Sequence, residues 1–285
     1  MKKLMHSGRR KAAKAVAKKA AARRCASIMK PEYLAEIKRF RLMDDDFMSK
    51  CLENAPECIE LMLRIILGKK DLKVVKSQTE YPIKSLQGRG VRFDVFARDS
   101  DGKEYDIEIQ RADKGSDAKR ARYNSSLMDA NMLKSGEDFG NLRDTYVIFI
   151  TETDVMKRGQ ELYSYLRTEE HNGDRLHDGT HIVYVNGAAK SSSEIGKLIH
   201  DLQCRNAEEM YFDVLRKRVG EFKNSTEGRS GMCKAVEGLV NKGKRETMIA
   251  TARRMLESGM LALKDVARFS GLTLAQVKKL QATMA

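Results

Sequence analysis

The chain has 285 residues, of which 41% are hydrophobic and 33% are charged, a composition that is typical of a soluble globular protein and excludes a disordered chain. No stretch approaches the eighteen or more apolar residues that a membrane helix needs, so no membrane partner is expected. The net charge of +14 is concentrated in residues 1–30, which carry +11 and no acidic side chain, so the rest of the chain is close to neutral.

Residues 1–30 form a basic N-terminal arm that is rich in Ala, Lys and Arg and lacks the uninterrupted apolar segment of a secretory signal. One interpretation is a phosphate-binding arm, whose affinity would fall steeply with salt. The other, which we favour, is a flexible and solvated extension. In both cases the folded part is expected to begin at residue 31.

The segments that follow the arm predict helices and then a strand. Residues 32–69 have helical character, and Pro56 is suited to the first turn of a second helix. The sequence LKVVKSQTEYPI, residues 72–83, has the character of a β-strand.

Residues 92–110 predict a β-hairpin, because two alternating runs flank an Asp-Gly turn. The apolar residues of the two runs are Phe93, Val95 and Ala97, then Tyr105, Ile107 and Ile109. A two-residue turn would mix apolar and polar residues on each face. A three-residue loop at 100–102 instead sets apolar residues opposite one another and places Gly102 at the left-handed position of such a loop. In that register Asp94 lies directly opposite Glu108.

The chain after the hairpin predicts a helix and two further strands. Residues 116–134 have helical character, and TYVIFIT, residues 145–151, is typical of a strand that is covered on both faces. HIVYVNG, residues 181–187, predicts another strand. The order of these elements favours an α/β fold with a mixed sheet.

Residues 206–285 are predicted to form an all-α tail whose end, 263–281, has the spacing of a helix-turn-helix. Ala267 is small where two helices would cross, Gly271 falls in the turn, and Thr273 is suited to cap the second helix. Lys278 and Lys279 lie on that second helix and are candidates for DNA contact. Such helix pairs also serve as packing or dimerisation units, so both interpretations stay open.

Five cysteines occur without any C-x-x-C pair. They are Cys25, Cys51, Cys58, Cys204 and Cys233. Their spacing and odd number argue against a disulfide framework and a Cys-rich zinc site, and indicate a reducing cytoplasm. Three histidines, His171, His177 and His181, have a spacing that matches no specific zinc site.

The facing carboxylates of the predicted hairpin suggest a bound cation. Asp94 and Glu108 would repel each other across the two strands, and a divalent cation would compensate that repulsion. Mg²⁺ prefers one or two carboxylates together with waters and phosphate oxygens, and Gln110 projects on the same face as Glu108. The alternative is that this face is simply the solvated side of a hairpin.

The sequence around these residues resembles a known family. Asp94 in V-R-F-D-V, followed by a turn and Y-D-I-E-I-Q, is similar to the D…(D/E)-x-K hairpin of the PD-(D/E)XK nuclease superfamily. The closest resemblance is to its transposase, or recombination-promoting nuclease, branch, in which Gln replaces the usual Lys. The likeness runs from about residue 40 to 205. Its other segments are D-D-D-F from Asp44 to Phe47, K-R-A-R-Y-N-S-S, L-K-S-G-E-D-F and Y-V-I-F-I-T.

The resemblance implies a restriction-endonuclease-like mixed β-sheet flanked by helices over residues 31–205. It implies that Asp94, Glu108 and the Ile109 carbonyl coordinate Mg²⁺ or Mn²⁺, and that Gln110 orients the attacking water. Unlike Lys, Gln110 carries no charge. An acidic residue of the first helix would complete the site. Asp44 stands at the motif position, Asp45 and Asp46 are alternatives, and Asp44 is equally placed to cap the helix.

The resemblance also implies contacts to DNA from the helix after the hairpin. Lys119, Arg120 and Arg122 would hold the backbone and Tyr123 would line the site, although each basic residue could equally lie on a solvated helix face. The predicted function is a Mg²⁺-dependent DNA endonuclease linked to recombination or transposition, in a bacterial-type cytoplasm and on the nucleoid when bound to DNA. The alternatives are a catalytically weak DNA-binding protein and a protein-interaction module on the same fold. The sequence leaves a homo-oligomer, the target specificity and the number of strands cut open.

Overall fold

The structure is a computed structural model that describes residues 31–85, 88–111 and 115–284. The predicted basic arm, residues 1–30, lies outside the described residues. The helices are α1 (Pro31–Arg39), α2 (Asp45–Leu52), α3 (Pro56–Leu67), α4 (Ala118–Met132), α5 (Glu194–Gln203), α6 (Asp213–Asn224), α7 (Thr226–Ser258), α8 (Leu263–Ser270) and α9 (Leu274–Ala282), with 3₁₀ turns at Phe139–Asn141 and Ala207–Glu209. The strands are β1 (Val74–Ile83), β2 (Val91–Asp99), β3 (Glu104–Gln110), β4 (Thr145–Thr151), β5 (Leu162–Tyr165) and β6 (Thr180–Asn186).

The six strands form one mixed sheet in the order β1-β2-β3-β4-β6-β5. β1, β2 and β3 are antiparallel neighbours, β3, β4 and β6 run parallel, and β5 pairs antiparallel with β6 at the edge. The predicted fold class, a mixed sheet flanked by helices, is therefore confirmed. β3 lies between β2 and β4, which removes both of its edges from solvent.

Both faces of the sheet are covered by helices. On one face, α1, α2, α3, α5 and α6 pack against the side of the sheet that carries Val95, Ile107 and Ile148. On the other face, α4 packs on the side that carries Phe96 and Phe149. Every residue of β4 is buried as a result, which confirms the prediction of a strand covered on both sides.

The hairpin between β2 and β3 has the predicted three-residue loop. Its register pairs Val95 with Ile107 and Ala97 with Tyr105, and Gly102 has a φ of 83°, the left-handed conformation that favours glycine. The antiparallel ladder between β2 and β3 ends at Val95–Ile107, so the predicted pairs Asp94–Glu108 and Phe93–Ile109 are not part of it. Phe93, predicted to share a face with Val95, packs instead with the cluster under α4, and that prediction is wrong. β2 continues in its ladder with β1 as far as Val91, so the change of face falls within the strand, between Phe93 and Val95.

The tail contributes to more than one core. Leu215 of α6 and Met232 of α7 pack in the main cluster, whereas Val266 and Val277 form a separate small cluster with the last part of α7. The predicted helices of 263–281 are α8 and α9, and Thr273 forms a capping box with Gln276 at the start of α9. The division of the chain at residue 205 stays a prediction. In the described ranges no helix has the length and apolar character to cross a membrane.

Candidate active site

Glu108 and Asp106 lie on β3 with their side chains turned toward α4, and each residue is 0% exposed. Two neighbouring strands and one helix enclose them, since β4 runs parallel to β3 and α4 covers this face. The alternative of a solvated hairpin face is thereby contradicted. A carboxylate is rarely buried without a partner, so the side chains around this pair decide what it can do.

Asp94 lies where the antiparallel ladder stops. Its Oδ2 accepts a hydrogen bond from the Ile109 backbone N–H at 3.0 Å, in place of a backbone carbonyl of β2. In a strand the N–H and C=O of one residue point toward the same neighbour. The Ile109 carbonyl is therefore expected on the side of β3 that faces Asp94, where the metal-ligand set predicted from the sequence needs it.

The pKa values of these carboxyls are raised. Burial is the first cause at Asp94, whose pKa rises to about 6, helped by the charge of Asp45 and opposed by the Ile109 N–H. Burial and then the charge of Asp94 raise the pKa of Glu108 to about 7, against the opposing effect of Arg120. Burial and the charge of Glu108 raise the pKa of Asp106 well above its ordinary value. These three carboxyls form an acidic cluster, Asp94, Asp106 and Glu108, which therefore binds protons or cations more readily than isolated carboxylates do.

Two oxygens of the cluster have no hydrogen-bond donor. Asp106 accepts from Asn124 Nδ2 at 2.8 Å through Oδ2, while its Oδ1 and the Oε1 of Glu108 lack a partner. Asp106 and Glu108 are hydrogen-bonding neighbours when one of them is protonated. Burial favours the protonated form of Asp106, and the hydrogen bond between the two carboxyls lowers the pKa of Glu108.

Arg120 is the principal cation at Glu108. Its Nη2 donates to Glu108 Oε2, its Nη1 donates to the Gly115 carbonyl at 2.8 Å, and its guanidinium lies 5.7 Å from the centre of the Phe149 ring. Gln110 Nε2 approaches the same Glu108 oxygen at 3.4 Å. Gly115 has a φ of 105°, a backbone conformation that favours glycine, and a Cβ there would lie 2.9 Å from the flexible end of Arg120 at Nη1.

Asp44 is engaged away from Asp94. Its carboxylate accepts from the Arg41 backbone N–H at 2.8 Å and forms ion pairs with Arg41 and Arg111, which both also contact Glu152. It occupies the N-cap position of α2 without a side-chain capping bond. The residue of this acidic segment whose charge acts on Asp94 is Asp45. All three aspartates of D-D-D-F line a different cleft from Asp94, together with Arg41 and Arg111.

The other predicted DNA contacts lie around a cleft of about 750 Å³ that contains Asp94. Lys119 and Tyr123 line it together with Arg89 and Arg92, and the Tyr123 hydroxyl donates to the Arg89 carbonyl at 2.6 Å. Arg122 lines a second cleft that also includes Lys119, Tyr165 and Arg167. The tail residues Lys278 and Lys279 are exposed on α9 and are not among the residues that line either cleft.

Three features of the site escaped sequence reasoning. Asp106 and Asn124 were not singled out, although D-x-E in one strand places Asp106 on the face of Glu108 and an i, i+4 spacing places Asn124 on the side of α4 that carries Arg120. Arg120 was predicted to face DNA but turns toward the sheet. Since a basic helix face usually indicates solvent, no sequence signal marked its inward position.

The residues present fit a small divalent cation. Asp94, Glu108 and the Ile109 carbonyl provide only oxygen donors, and Glu108 has an oxygen without a partner. In the part of the chain that the structure describes, no group of three or more His, Cys, Asp and Glu side chains could hold a metal ion, which includes the three histidines considered for zinc. A Mg²⁺ ion here would be held by two carboxylates, and its other ligands would be the carbonyl, waters or phosphate oxygens.

Comparison with protein families gives one match. The sequence model of a family described as PD-(D/E)XK nuclease family transposase matches residues 52–194, half of the chain. The matched segment runs from the end of α2 to the start of α5 and includes Asp94, Glu108, Gln110 and Arg120. No curated protein and no solved structure matches the chain.

Proposed function

The chain belongs to the PD-(D/E)XK nuclease family transposases, and from this premise we propose that it is a Mg²⁺-dependent DNA endonuclease acting in recombination or transposition. The observation that carries the proposal is the carboxylate pair of half-buried Asp94 on β2 and fully buried Glu108 on β3, beside a cleft lined by basic side chains. A structural hairpin would gain nothing from holding two mutually repelling carboxylates, one of them fully buried, next to a polar cleft.

Each residue of the site has a role in phosphodiester hydrolysis. Asp94, Glu108 and the Ile109 carbonyl would hold Mg²⁺, or Mn²⁺ in its place. When bound, the cation lowers the pKa of a water and neutralises charge on the phosphate. Gln110 can hold the attacking water through its amide. The reaction forms one bond from water oxygen to phosphorus and breaks the bond to the leaving sugar oxygen, which takes up a proton.

The arrangement of cations supports a DNA substrate. Arg89, Arg92 and Lys119 surround the cleft that contains Asp94, and Lys119 also lines the second cleft with Arg122 and Arg167. These two clefts flank the first half of α4, so a DNA backbone could follow both. Contacts of this kind are to phosphate and make affinity salt-dependent without selecting a sequence.

The predictions about other DNA contacts, oligomeric state and cellular location remain predictions. DNA contact by Lys278 and Lys279, formation of a homo-oligomer and a cytoplasmic location stay predictions. Target specificity is equally open, because base-reading contacts cannot be assigned from a basic cleft.

The proposal is tested with supercoiled plasmid DNA and purified full-length protein. We expect nicking or cutting in Mg²⁺ or Mn²⁺, loss of that activity in excess EDTA, and loss in Glu108→Ala. Lys70→Gln, an exposed side chain in the turn between α3 and β1, provides the control and should cleave like wild type.

The outcome also separates the alternatives. If wild type and Glu108→Ala are equally inert with Mg²⁺ and Mn²⁺, the enzyme proposal is wrong. Salt-dependent DNA binding by the inert protein would then indicate a DNA-binding protein, and its absence an interaction module.

A further inference from the structure

Gln110 leaves the site without a cation at the position where the related motif has lysine. Hydrolysis of a phosphodiester builds negative charge on the phosphate, and fixed positive groups stabilise that charge most in a site that excludes water. Gln110 is neutral at every pH and can only donate or accept hydrogen bonds. Another side chain must therefore supply the charge if the site is active.

Arg120 is placed to supply it. Its guanidinium donates to the same oxygen of Glu108, Oε2, that Gln110 approaches, so the two side chains converge on one point of the site. Arg120 also lines the cleft that contains Asp94. Glu108 itself is fully buried and does not line that cleft, so Arg120 lies between Glu108 and the space where a phosphate would arrive.

The remaining contacts of Arg120 allow it to move. The guanidinium is held by Glu108, by the Gly115 carbonyl and by the face of the Phe149 ring, and its side chain is 34% exposed. The start of α4 is fixed independently, because Asp117 caps the Arg120 backbone N–H at 3.0 Å. The guanidinium can therefore leave Glu108 while the helix that carries it stays in place.

On this basis, and resting on the proposed nuclease function, we propose that Arg120 is a catalytic residue with two alternating partners. Without metal, Arg120 neutralises Glu108 and separates its carboxylate from the cleft. When a divalent cation binds, Arg120 leaves Glu108 and turns to the phosphate of the substrate, where it provides the charge that Gln110 lacks. The same residue thus weakens metal binding and assists the reaction.

The first half of the proposal is tested by metal affinity, without any cleavage. We expect Arg120→Gln to bind Mn²⁺ about tenfold more tightly than wild type in calorimetry, because the cation no longer competes with a charged hydrogen bond at Glu108. Arg98→Gln is the matched control, since Arg98 pairs with buried Glu104 at the other end of β3, and it should leave Mn²⁺ affinity within about twofold.

The second half is tested by cleavage and its rescue. Arg120→Gln should cleave about 10²–10³-fold more slowly than wild type, as loss of one charge-stabilising donor usually does. Arg120→Lys should retain more activity than Arg120→Gln. Adding Gln110→Lys to Arg120→Gln should recover at least about tenfold, because it restores a cation at the point where the two side chains converge.

Several results would overturn the proposal. An Arg120→Gln protein with wild-type Mn²⁺ affinity would show that Arg120 does not compete for Glu108. Loss of cleavage that neither Arg120→Lys nor Gln110→Lys relieves would show a purely structural role. If wild type does not cleave DNA at all, the nuclease proposal fails and the catalytic role fails with it, while the Mn²⁺ comparison still decides whether Arg120 guards Glu108.

Discussion

Asp94→Asn is expected to lower DNA cleavage by about 10³-fold while making the metal-free protein more stable near pH 8. The substitution keeps the size of the side chain and leaves an oxygen that can still accept the Ile109 N–H. It removes one of the mutually repelling charges of the Asp94, Asp106 and Glu108 cluster. Loss of a metal ligand and relief of repulsion therefore change activity and stability in opposite directions.

The pH dependence of stability shows whether Asp94→Asn stabilises or destabilises the protein. The pKa of Asp94 is about 6 in the folded protein, above its ordinary value of 3.8, so the folded state holds a proton that the unfolded state has lost. The stability that this proton contributes is present below pH 4 and is lost as the pH rises through 6. Asp94→Asn lacks that loss, and above pH 6 we expect it to be more stable than wild type by about 2 kcal/mol.

The measurement is thermal unfolding of both proteins between pH 4 and 8, with and without Mn²⁺, beside the plasmid assay. Mn²⁺ should raise the melting temperature of wild type and have little effect on Asp94→Asn. Asp99→Asn is the contrasting variant, because Asp99 accepts favourable hydrogen bonds from the backbone N–H groups of Asp101 and Lys103 and from the Tyr105 hydroxyl. It should be less stable than wild type by about 1 kcal/mol and cleave normally.

An Asp94→Asn protein that is destabilised and still cleaves DNA would contradict this role. Asp94 would then be only an acceptor for the Ile109 N–H at the end of a sheet ladder. The comparison with Asp99→Asn makes that outcome recognisable, since both are aspartates of β2 that accept backbone N–H groups.

The hairpin shows how far local sequence pattern can lead. Because side chains alternate along a strand, a shift by one residue would expose every apolar side chain, and this alone was enough to predict the loop and the Val95–Ile107 pair. The pattern could not show where the ladder would stop. That depends on the Asp94 carboxylate taking the Ile109 N–H, a side-chain contact that leaves no period in the sequence.

The burial of the site could not be predicted from local sequence pattern, for a different reason. An isolated hairpin has one wet face, and β3 loses it only because β4, far along the chain, runs parallel beside it and α4 covers it. The same long-range packing turns Arg120 inward to Glu108. Short β5 was likewise not predicted, since four residues at a sheet edge carry too little pattern.

Lys223→Met is expected to destabilise the protein by about 3 kcal/mol, the largest effect on stability that we predict outside the candidate site. Lys223 lies on α6 and is only 6% exposed. Its ammonium donates to the Phe40 carbonyl at 2.6 Å, to the Lys38 carbonyl at 3.3 Å and to the Arg205 carbonyl. These carbonyls belong to the end of α1 and to the segment after α5, where carbonyls have no donor within their own helix.

Methionine would fill the same space but leave these carbonyls without their buried donor. Burial already lowers the pKa of Lys223, so the amine is held there by hydrogen bonds against an unfavourable environment for its charge. Lys217→Met, an exposed position on the same helix, provides the control and should change stability by less than about 0.5 kcal/mol. Urea unfolding of the three proteins followed by circular dichroism measures the difference.

Loss of the Lys223 ammonium is also expected to affect the candidate active site, because the two are connected along the chain. Phe40 is followed directly by Arg41 and by the acidic segment whose Asp45 raises the pKa of Asp94, so Lys223 connects the helical tail to the start of that segment. We therefore expect Lys223→Met to weaken Mn²⁺ binding several-fold as well, whereas Lys217→Met should not. A Lys223→Met protein with wild-type stability would show that water replaces the ammonium at all three carbonyls, and that the tail and the site are independent.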